Sequence, residues 1–577
     1  MMARYTNEKN ILMLVALLKQ HNISNVIASP GATNVSFVAS VQSDPFFNVI
    51  SCVDERSAAY MACGIAAETN KPVVLSCTGA TASRNYAPGL TEAFYRHLPV
   101  IAVTASQHLG RIGQNVAQVL DRSQQFADMV KKSIQLYEIH TSEDEWACNL
   151  ALNNVILESQ RNGGGPVHIN MITTYDNGFD VTELKPVRKI ERIENLENAP
   201  EIKHSEVAIF IGEHAKFSAE LTAAIDEFCE KYNAVVICDH PSKYHGKYRI
   251  IPNLITLQDS TEKFKKIPFL IDLGNVSGIY SNIQPAEVWR VSPDGEIRDT
   301  FKKMTHVFES DELNFFKHYN SLRTIKKNTE YYTTWKNKYD NFAQKLNNLD
   351  LPFSNLWIAK EISRAIGSND VVHLGILNTL RSWDLTAADN EAEFYCNTGG
   401  FGIDGVLSSA LGNSLVTDKK VYCIIGDLAF FYDMNAIGNR HLKNNLRVLL
   451  VNNGCGTEFH NFNHRASKVS KQNGLSTEFF AADGHFGNKS KDLVKHYAED
   501  LGFQYLSASN KEELLEAMKT FTAEKSPKPI LLEAFTDEKD ESNALKMVYG
   551  LNFSSKTVAK KILGEKGKRI VKKMLGK

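Results

Sequence analysis

Short apolar runs bounded by turn residues recur along this 577-residue chain and alternate with stretches of helical period. In residues 1–185, the helix-period segment Ile11 to Leu18 precedes the apolar Asn25-Val26-Ile27-Ala28, and the turn Pro30-Gly31 follows. Val73 to Cys77 and Pro99 to Thr104 are further apolar runs of strand length. Short strands alternating with helical segments predict a parallel sheet with crossover helices. Pro186 to His204, charged and bounded by prolines, is predicted as a linker. A second α/β segment carries Val207 to Ile211, Ala234 to Cys238 and Phe269 to Leu273. It has no GxGxxG and no phosphate loop, and Gly212-Glu213-His214 makes a poor dinucleotide turn. Lys317 to Asn348 is polar, aromatic and helix-prone, a connector to a third α/β unit running from Leu351 to Phe535. The predicted fold class is α/β, with three doubly wound parallel-sheet domains at 1–185, 186–345 and 346–553 and a tail at 554–577.

The third unit holds the pattern with the most chemical content. The apolar run Val421 to Ile425 ends at Gly426-Asp427, an amphipathic helical stretch follows, and a second apolar run, Val448 to Val451, ends at Asn452-Asn453. A strand-turn-helix-strand unit of this kind puts an Asp and an Asn at the carboxyl ends of neighbouring strands, where open α/β sheets bind ligands. It also offers helix-start N–H groups to a phosphate. A hard divalent cation takes oxygen donors, and Asp427, Asn453 and the main-chain carbonyl of Cys455 are three of the right kind. The same residues fit an ordinary strand-turn-helix in which Asp427 is a cap. Other segments separate the two readings.

Glu55 lies in SCVDERSAAYMACGIA, after the apolar Val49, Ile50 and Val53 and at the start of a helix of small residues. A carboxyl group in an apolar setting tends to keep its proton and can then take part in proton transfer. The plain alternative is a helix-start carboxylate favoured by the dipole. Two further segments stand out: TGATASRNYAPGLTEA, from Thr78 to Ala93, and NTGGFGIDGVLSSALG, from Asn397 to Gly412.

Together these four segments resemble the thiamine diphosphate (ThDP)-dependent 2-oxo acid decarboxylases and carboligases, in which a GD pair is followed at a distance by NN. Leu428 stands where the general motif has a third glycine. GDL-x-x-x-YD-x-N, the DER start and GIDG-x-LS are closest to the menaquinone-pathway synthase branch, which joins 2-oxoglutarate to isochorismate. The resemblance implies ThDP and Mg²⁺ as cofactors, and three domains of the ThDP-binding type. It implies Glu55 as the catalytic group that hydrogen-bonds the pyrimidine ring, with Gly79 close to that ring. Ile403 would prop the thiazolium. Gly31, Gly426, Asp427, Leu428, Ala429 and Asn453 would complete the cofactor contacts, with Asp427, Asn453 and Cys455 on the metal. The first and third units contribute different halves of a site that in this family meets across a subunit interface, so a homo-oligomer, at least a dimer, is implied. The implied activity is decarboxylation of a 2-oxo acid and transfer of the acyl carbanion to an acceptor. Simple decarboxylation to an aldehyde is the alternative, and a ThDP-binding protein without turnover is a third reading, against which Glu55 argues.

The departures bear on substrate. Where the synthase branch has arginines, this chain has Thr33 in SPGATN, Gln107 in TASQH and Thr398 in NTG; Arg381 in LNTLRSW keeps its charge. Each lost guanidinium removes charge-assisted bonds worth about 1.5–3 kcal/mol. An acceptor less anionic than isochorismate is therefore expected: a sugar, an aldehyde or a proton. One retained arginine suits a donor with one carboxylate. Asn34, Gln107, His108, Gln118, Thr398 and His460 are the polar candidates to line the reaction space, His108 as a proton carrier near neutral pH. Thr457 to Phe486, rich in Gly, Asn and His, resembles a mobile active-site cover.

Composition changes the picture in three places only. The net charge of −1 supplies no field for nucleic acid. Nine cysteines without a CxxC read as free thiols of a reducing compartment. A start without signal-peptide layout, and no apolar run of membrane-span length, lead us to expect a cytoplasmic protein. The tail from Ser554 to Lys577 carries nine Lys/Arg against one Glu. Val558, Ile562, Leu563, Ile570, Val571, Met574 and Leu575 give it a basic amphipathic pattern suited to an anionic membrane surface, although Gly564 and Gly567 weaken a helix there. A solubilising tail fits the same residues.

Overall fold

Asn25–Ala28 (β1), Asn48–Ser51 (β2), Val73–Cys77 (β3), Val100–Ser106 (β4), Lys132–Leu136 (β5) and Val167–Ile172 (β6) form one sheet in the order β2-β1-β3-β4-β6-β5, every neighbouring pair parallel. The computed structural model describes residues 3–258, 261–278, 282–324, 327–386, 390–482 and 490–552. The basic tail predicted at 554–577 lies outside them, as does part of the predicted cover segment. All residues of β3, β4 and β6 are buried, because helices cover both faces of a parallel sheet. β6 nevertheless holds His168, whose ring nitrogens meet Thr104 Oγ1 at 2.8 Å and Ser133 Oγ at 2.7 Å. Burial pushes this imidazole down to about 3, so it stays neutral.

Helix Glu55–Thr69 (α1) starts on the Asp54 cap, whose carboxylate accepts the Arg56 and Ser57 N–H groups at 2.9 and 3.3 Å. Its buried face is Ala58, Ala59, Ala62, Cys63 and Ala66. Small side chains there let Gly89 approach so closely that a Cβ on it would lie 2.4 Å from that of Ala59.

By packing, residues 1–194 with 295–308 form one unit, and 195–294 with 309 onward form another. The expected linker is corrected: Glu191–Ile193 is a strand, paired in parallel with Met304–Glu309, and it buries Ile190 and Ile193. Two isoleucines among the five charged side chains from Arg188 to Glu194 are too weak an apolar signal to mark a strand. In the second unit, five parallel strands run Arg249–Ile250, Ala234–Cys238, Val207–Ile211, Leu270–Leu273 and Val288–Ser292 in spatial order. The predicted connector contains the helix Glu330–Asn347, which buries Tyr331, Trp335, Tyr339, Phe342 and Leu346 at helical spacing and is thus a packed element.

The last sheet, also in the second unit, comprises Val371–Leu374 (β7), Glu393–Tyr395 (β8), Val421–Gly426 (β9), Leu446–Asn452 (β10), Gln504–Ala508 (β11) and Ile530–Phe535 (β12). Its order, β8-β7-β9-β10-β12-β11, repeats that of the first sheet, again all parallel. Its helices include Asn378–Thr386 (α2), Val406–Val416 (α3), Asp427–Asp433 (α4), Thr457–His460 (α5) and Glu538–Tyr549 (α6). All nine cysteines are free, six of them buried. Among the described residues no helix is long and apolar enough to cross a membrane.

Candidate active site

In a sheet ordered 2-1-3-4-6-5, the connections from the first and third strands leave in opposite directions and open a crevice at their carboxyl ends. In the last sheet that crevice lies beyond Leu374 and Gly426. Asp427 opens α4 there and is 2% exposed. Its Oδ1 accepts the Leu428 N–H at 2.9 Å and its Oδ2 the Gly454 N–H at 2.8 Å, which ties the end of β9 to the turn after β10. Gly454 takes a left-handed φ of 79° to make that turn.

The two asparagines divide their work. Asn452 is buried and donates to Glu533 Oε1 at 2.6 Å, while Glu533 Oε2 accepts the Tyr505 hydroxyl at 2.8 Å. Burial first, and the nearby Asp427 charge second-hand, raise the Glu533 carboxyl above its ordinary range. Asn453 is half-buried and its Oδ1 stands 3.5 Å from the Cys455 N–H, a long contact that leaves the amide oxygen weakly held. A Cβ on Gly426 would meet nothing within 4 Å, so the backbone just before Asp427 faces open space. The Cys455 carbonyl accepts the Thr457 N–H at 3.0 Å and keeps a second lone pair. A buried carboxylate, a weakly held amide oxygen and a turn carbonyl fit a hard cation and the phosphates it would carry.

The amphipathic helix ends after seven residues, at Asp433, and Met434–Gly438 continues as a 3₁₀ turn. Asp433 is diverted to α3, accepting the Ser408 N–H at 2.6 Å as well as the Ser408 hydroxyl. The Leu428 N–H donates to the Asp427 carboxylate. The side chain of Ala429 is buried. Ile403 is half-buried and packs on the core that contains Val406, Leu407 and Phe430.

Arg381, on α2, does not present an open fork. Its two terminal nitrogens bond both oxygens of Glu458 on α5 at 2.8 Å each, and Asn378 adds a contact at 3.2 Å. Both side chains are largely buried, at 11% and 16% exposure. Thr398 is buried, and His460 lies 3.4 Å from Glu538.

The first sheet carries its own crevice at the ends of β1 and β3. A Cβ on Gly31 would sit 2.4 Å from that of Thr78, so the two turns touch only because residue 31 is glycine. Thr33 and Thr78 hydroxyls meet at 2.6 Å. Gly79 packs against the Gln118 carbonyl, 3.0 Å from the place of its missing Cβ, and Gln118 is exposed with φ +64°. Asn34 is buried and donates its amide to Ser29 O at 3.0 Å and Ser76 Oγ at 3.2 Å, which holds the turn, and it lines a cavity together with Pro30, Gly31 and Val35. Gln107 is engaged at both ends, by the Tyr175 hydroxyl at 3.0 Å and by Arg111. His108 is exposed and caps the following turn, its Nδ1 accepting the Gly110 N–H at 3.1 Å. His108 shows how a polar side chain next to a turn can satisfy the turn's backbone. Glu55, first residue of α1, is half-buried and accepts from Asn85 Nδ2 at 3.2 Å. Val53 beside it is 78% exposed, so the expected apolar enclosure is not supplied by the described residues of its own unit.

Comparison with known proteins decides between a generic α/β crevice and a cofactor site. The model of the N-terminal TPP binding domain of thiamine pyrophosphate enzymes matches residues 12–125, and that of the C-terminal TPP binding domain matches 382–534. The 2-succinyl-5-enolpyruvyl-6-hydroxy-3-cyclohexene-1-carboxylate synthase of Bacteroides fragilis is 32% identical over 573 residues, 94% of this chain and 99% of that protein. The chain belongs to the thiamine diphosphate-dependent enzymes. Proteins of the same name from Phocaeicola vulgatus and Flavobacterium johnsoniae are 32% and 26% identical, over 94% and 93% of the chain and 98% and 97% of their own lengths. As a thiamine diphosphate enzyme, the protein uses that cofactor with a divalent metal such as Mg²⁺.

Sequence reasoning passed over four groups in these crevices. Asp433 and Glu533 hold α3 and Asn452. Glu458 neutralises Arg381. Arg122 is 1% exposed beside Gly79, gives a terminal N–H to Ala105 O at 2.5 Å, and has no carboxylate partner among the described residues. Burial lowers this guanidinium to about 10. Asp433 is the acid of the YD pair in GDL-x-x-x-YD-x-N, but its bond to Ser408 is not legible there, and no local pattern marks the other three, because each is defined by a partner remote in sequence.

Proposed function

We propose that this enzyme decarboxylates a 2-oxo acid and transfers the resulting acyl fragment to an acceptor less anionic than isochorismate. The observation that carries the substrate half of this reading is the Arg381–Glu458 pair. The arginine retained from the synthase pattern is already neutralised within the chain by a bidentate carboxylate, and Thr33, Gln107 and Thr398 add no charge. Thiamine diphosphate, when bound, supplies the electron sink for loss of the carboxyl group. Asp427, Asn453 and the Cys455 carbonyl hold the cation that fixes the diphosphate. Glu55, oriented by Asn85, holds or shares a proton with the pyrimidine ring. Ile403, backed by the α3 core, supports the thiazolium.

A panel of 2-oxo acids, each with and without aldehyde acceptors, tests this. Carbon–carbon bond products in wild type support the reading, and aldehyde as the sole product in every arm overturns it in favour of simple decarboxylation. Glu458→Gln frees the Arg381 fork. Its preference for dicarboxylic over monocarboxylic 2-oxo acids, as a ratio of kcat/KM, is expected to rise about 10-fold or more, the worth of a charge-assisted bond. An unchanged ratio in a folded variant removes Arg381 from substrate recognition.

Two finer features belong to the same reading. Val53, Tyr60 and Met61, at 78%, 48% and 39% exposure on and beside α1, are apolar surface of the kind buried between subunits and support a homo-oligomer. The basic tail supports attachment to an anionic membrane surface. The full chain is expected to sediment with anionic vesicles more than a chain ending at residue 553; equal sedimentation removes that role.

A further inference from the structure

We propose that Cys455, His460 and Glu538 form a second cation site, for a zinc-class ion, chemically distinct from the oxygen donors at Asp427 and Asn453. One sulfur, one imidazole nitrogen and one carboxylate oxygen from these residues lie within 4.8 Å of one another. They come from three places in the last sheet's environment: the turn after β10, the end of α5 and the first residue of α6. His460 Nδ1 stands 3.4 Å from Glu538 Oε1. That is long for an N–H···O bond, whose usual length is about 2.9–3.0 Å. It is close to the separation of about 3.3 Å between two ligands on one tetrahedral ion with bonds near 2.0–2.1 Å.

The donor set selects the ion. Thiolate and imidazole favour Zn²⁺ and Co²⁺ over Mg²⁺, whose preference for hard oxygen suits the Asp427 set. Three protein ligands leave a fourth position for water or a solute, the pattern of an open site. The imidazole is largely shielded at 13% exposure, while the carboxylate is open to solvent at 46%, which gives the ion a route in. Binding exchanges the Cys455 thiol proton for the ion and releases that proton to solvent. The bound ion would clamp the turn that holds Gly454 against Asp427 to the start of α6, so the occupied state is more stable.

Cobalt(II) is the probe, added to the full chain with Mg²⁺ and thiamine diphosphate present. One equivalent is expected to bind with a thiolate-to-cobalt charge-transfer band in the near ultraviolet and the strong visible bands of a four-coordinate ion. Zn²⁺ should displace it and raise Tm, and excess Mg²⁺ should not displace it. Cys455→Ser should abolish the charge-transfer band, and Glu538→Gln and His460→Ala should each weaken Co²⁺ binding about 10-fold or more. Cys52→Ser and Cys396→Ser, at the other two half-buried cysteines, should leave the spectrum as it is. The proposal is overturned if the band is missing from wild type, survives Cys455→Ser, or if the Zn²⁺ shift in Tm is the same in Glu538→Gln as in wild type. No readout uses turnover, so the outcome is independent of the substrate reading.

Discussion

Asp427→Ala is expected to give a folded chain that no longer retains thiamine diphosphate in the presence of Mg²⁺. The carboxylate is 2% exposed and sits between the end of β9 and the turn after β10. Removing one partner of a buried charge contact costs about 3–5 kcal/mol, so cofactor affinity should fall more than about 100-fold. Part of the change is structural. The Leu428 and Gly454 N–H groups lose their acceptor, at about 1–3 kcal/mol for each donor left buried and unpaired. Asp427→Asn separates the two effects, because an amide oxygen still accepts one of these bonds while the charge is gone. Equilibrium dialysis or calorimetry with cofactor and Mg²⁺ decides it: affinity within a few-fold of wild type in either folded variant would refute the metal assignment.

Glu55→Gln is expected to bind the cofactor nearly as wild type does and to lose about 100- to 10,000-fold in kcat, the range of a positioned acid–base group. The isosteric amide still accepts from Asn85, whose Nδ2 stands 3.2 Å from the carboxylate. Losing a negative charge at the first position of α1 costs the helix about 0.3–1 kcal/mol, too little to unfold the unit. The split between unchanged binding and lost turnover is the discriminating signature. A variant that turns over at the wild-type rate would end the proton-relay role, and one that fails to bind cofactor would make Glu55 a binding group only.

Strands were legible where they are buried on both faces. β1, β3, Val207–Ile211 and Ala234–Cys238 have the bounds read from their apolar runs. β6, spelled VHINMI, carried no comparable signal because two of its six positions are polar and satisfied by β4 and β5. Glu191–Ile193 reads as linker in the sequence for a related reason: its pairing partner lies more than a hundred residues away. On the candidate site, spacing alone marked Asp427 and Asn453 as strand-end residues. It did not show which asparagine is structural, because Asn452 is fixed by Glu533, 81 residues away, while Asn453 lies just past the strand end.

The amino-acid sequence by itself determined the α/β class, the family and the oxygen-rich turn pair at Gly426-Asp427 and Asn452-Asn453, since those depend on local period and on residues adjacent in the chain. Only the tertiary structure decided that the first and last sheets share one strand order, that Glu458 occupies Arg381, that Gln107 is held between Tyr175 and Arg111, and that a thiol, an imidazole and a carboxylate converge after β10. Each of these is a pairing between distant positions, and hydrogen bonds and ion pairs are settled by which groups burial brings within about 3 Å of one another.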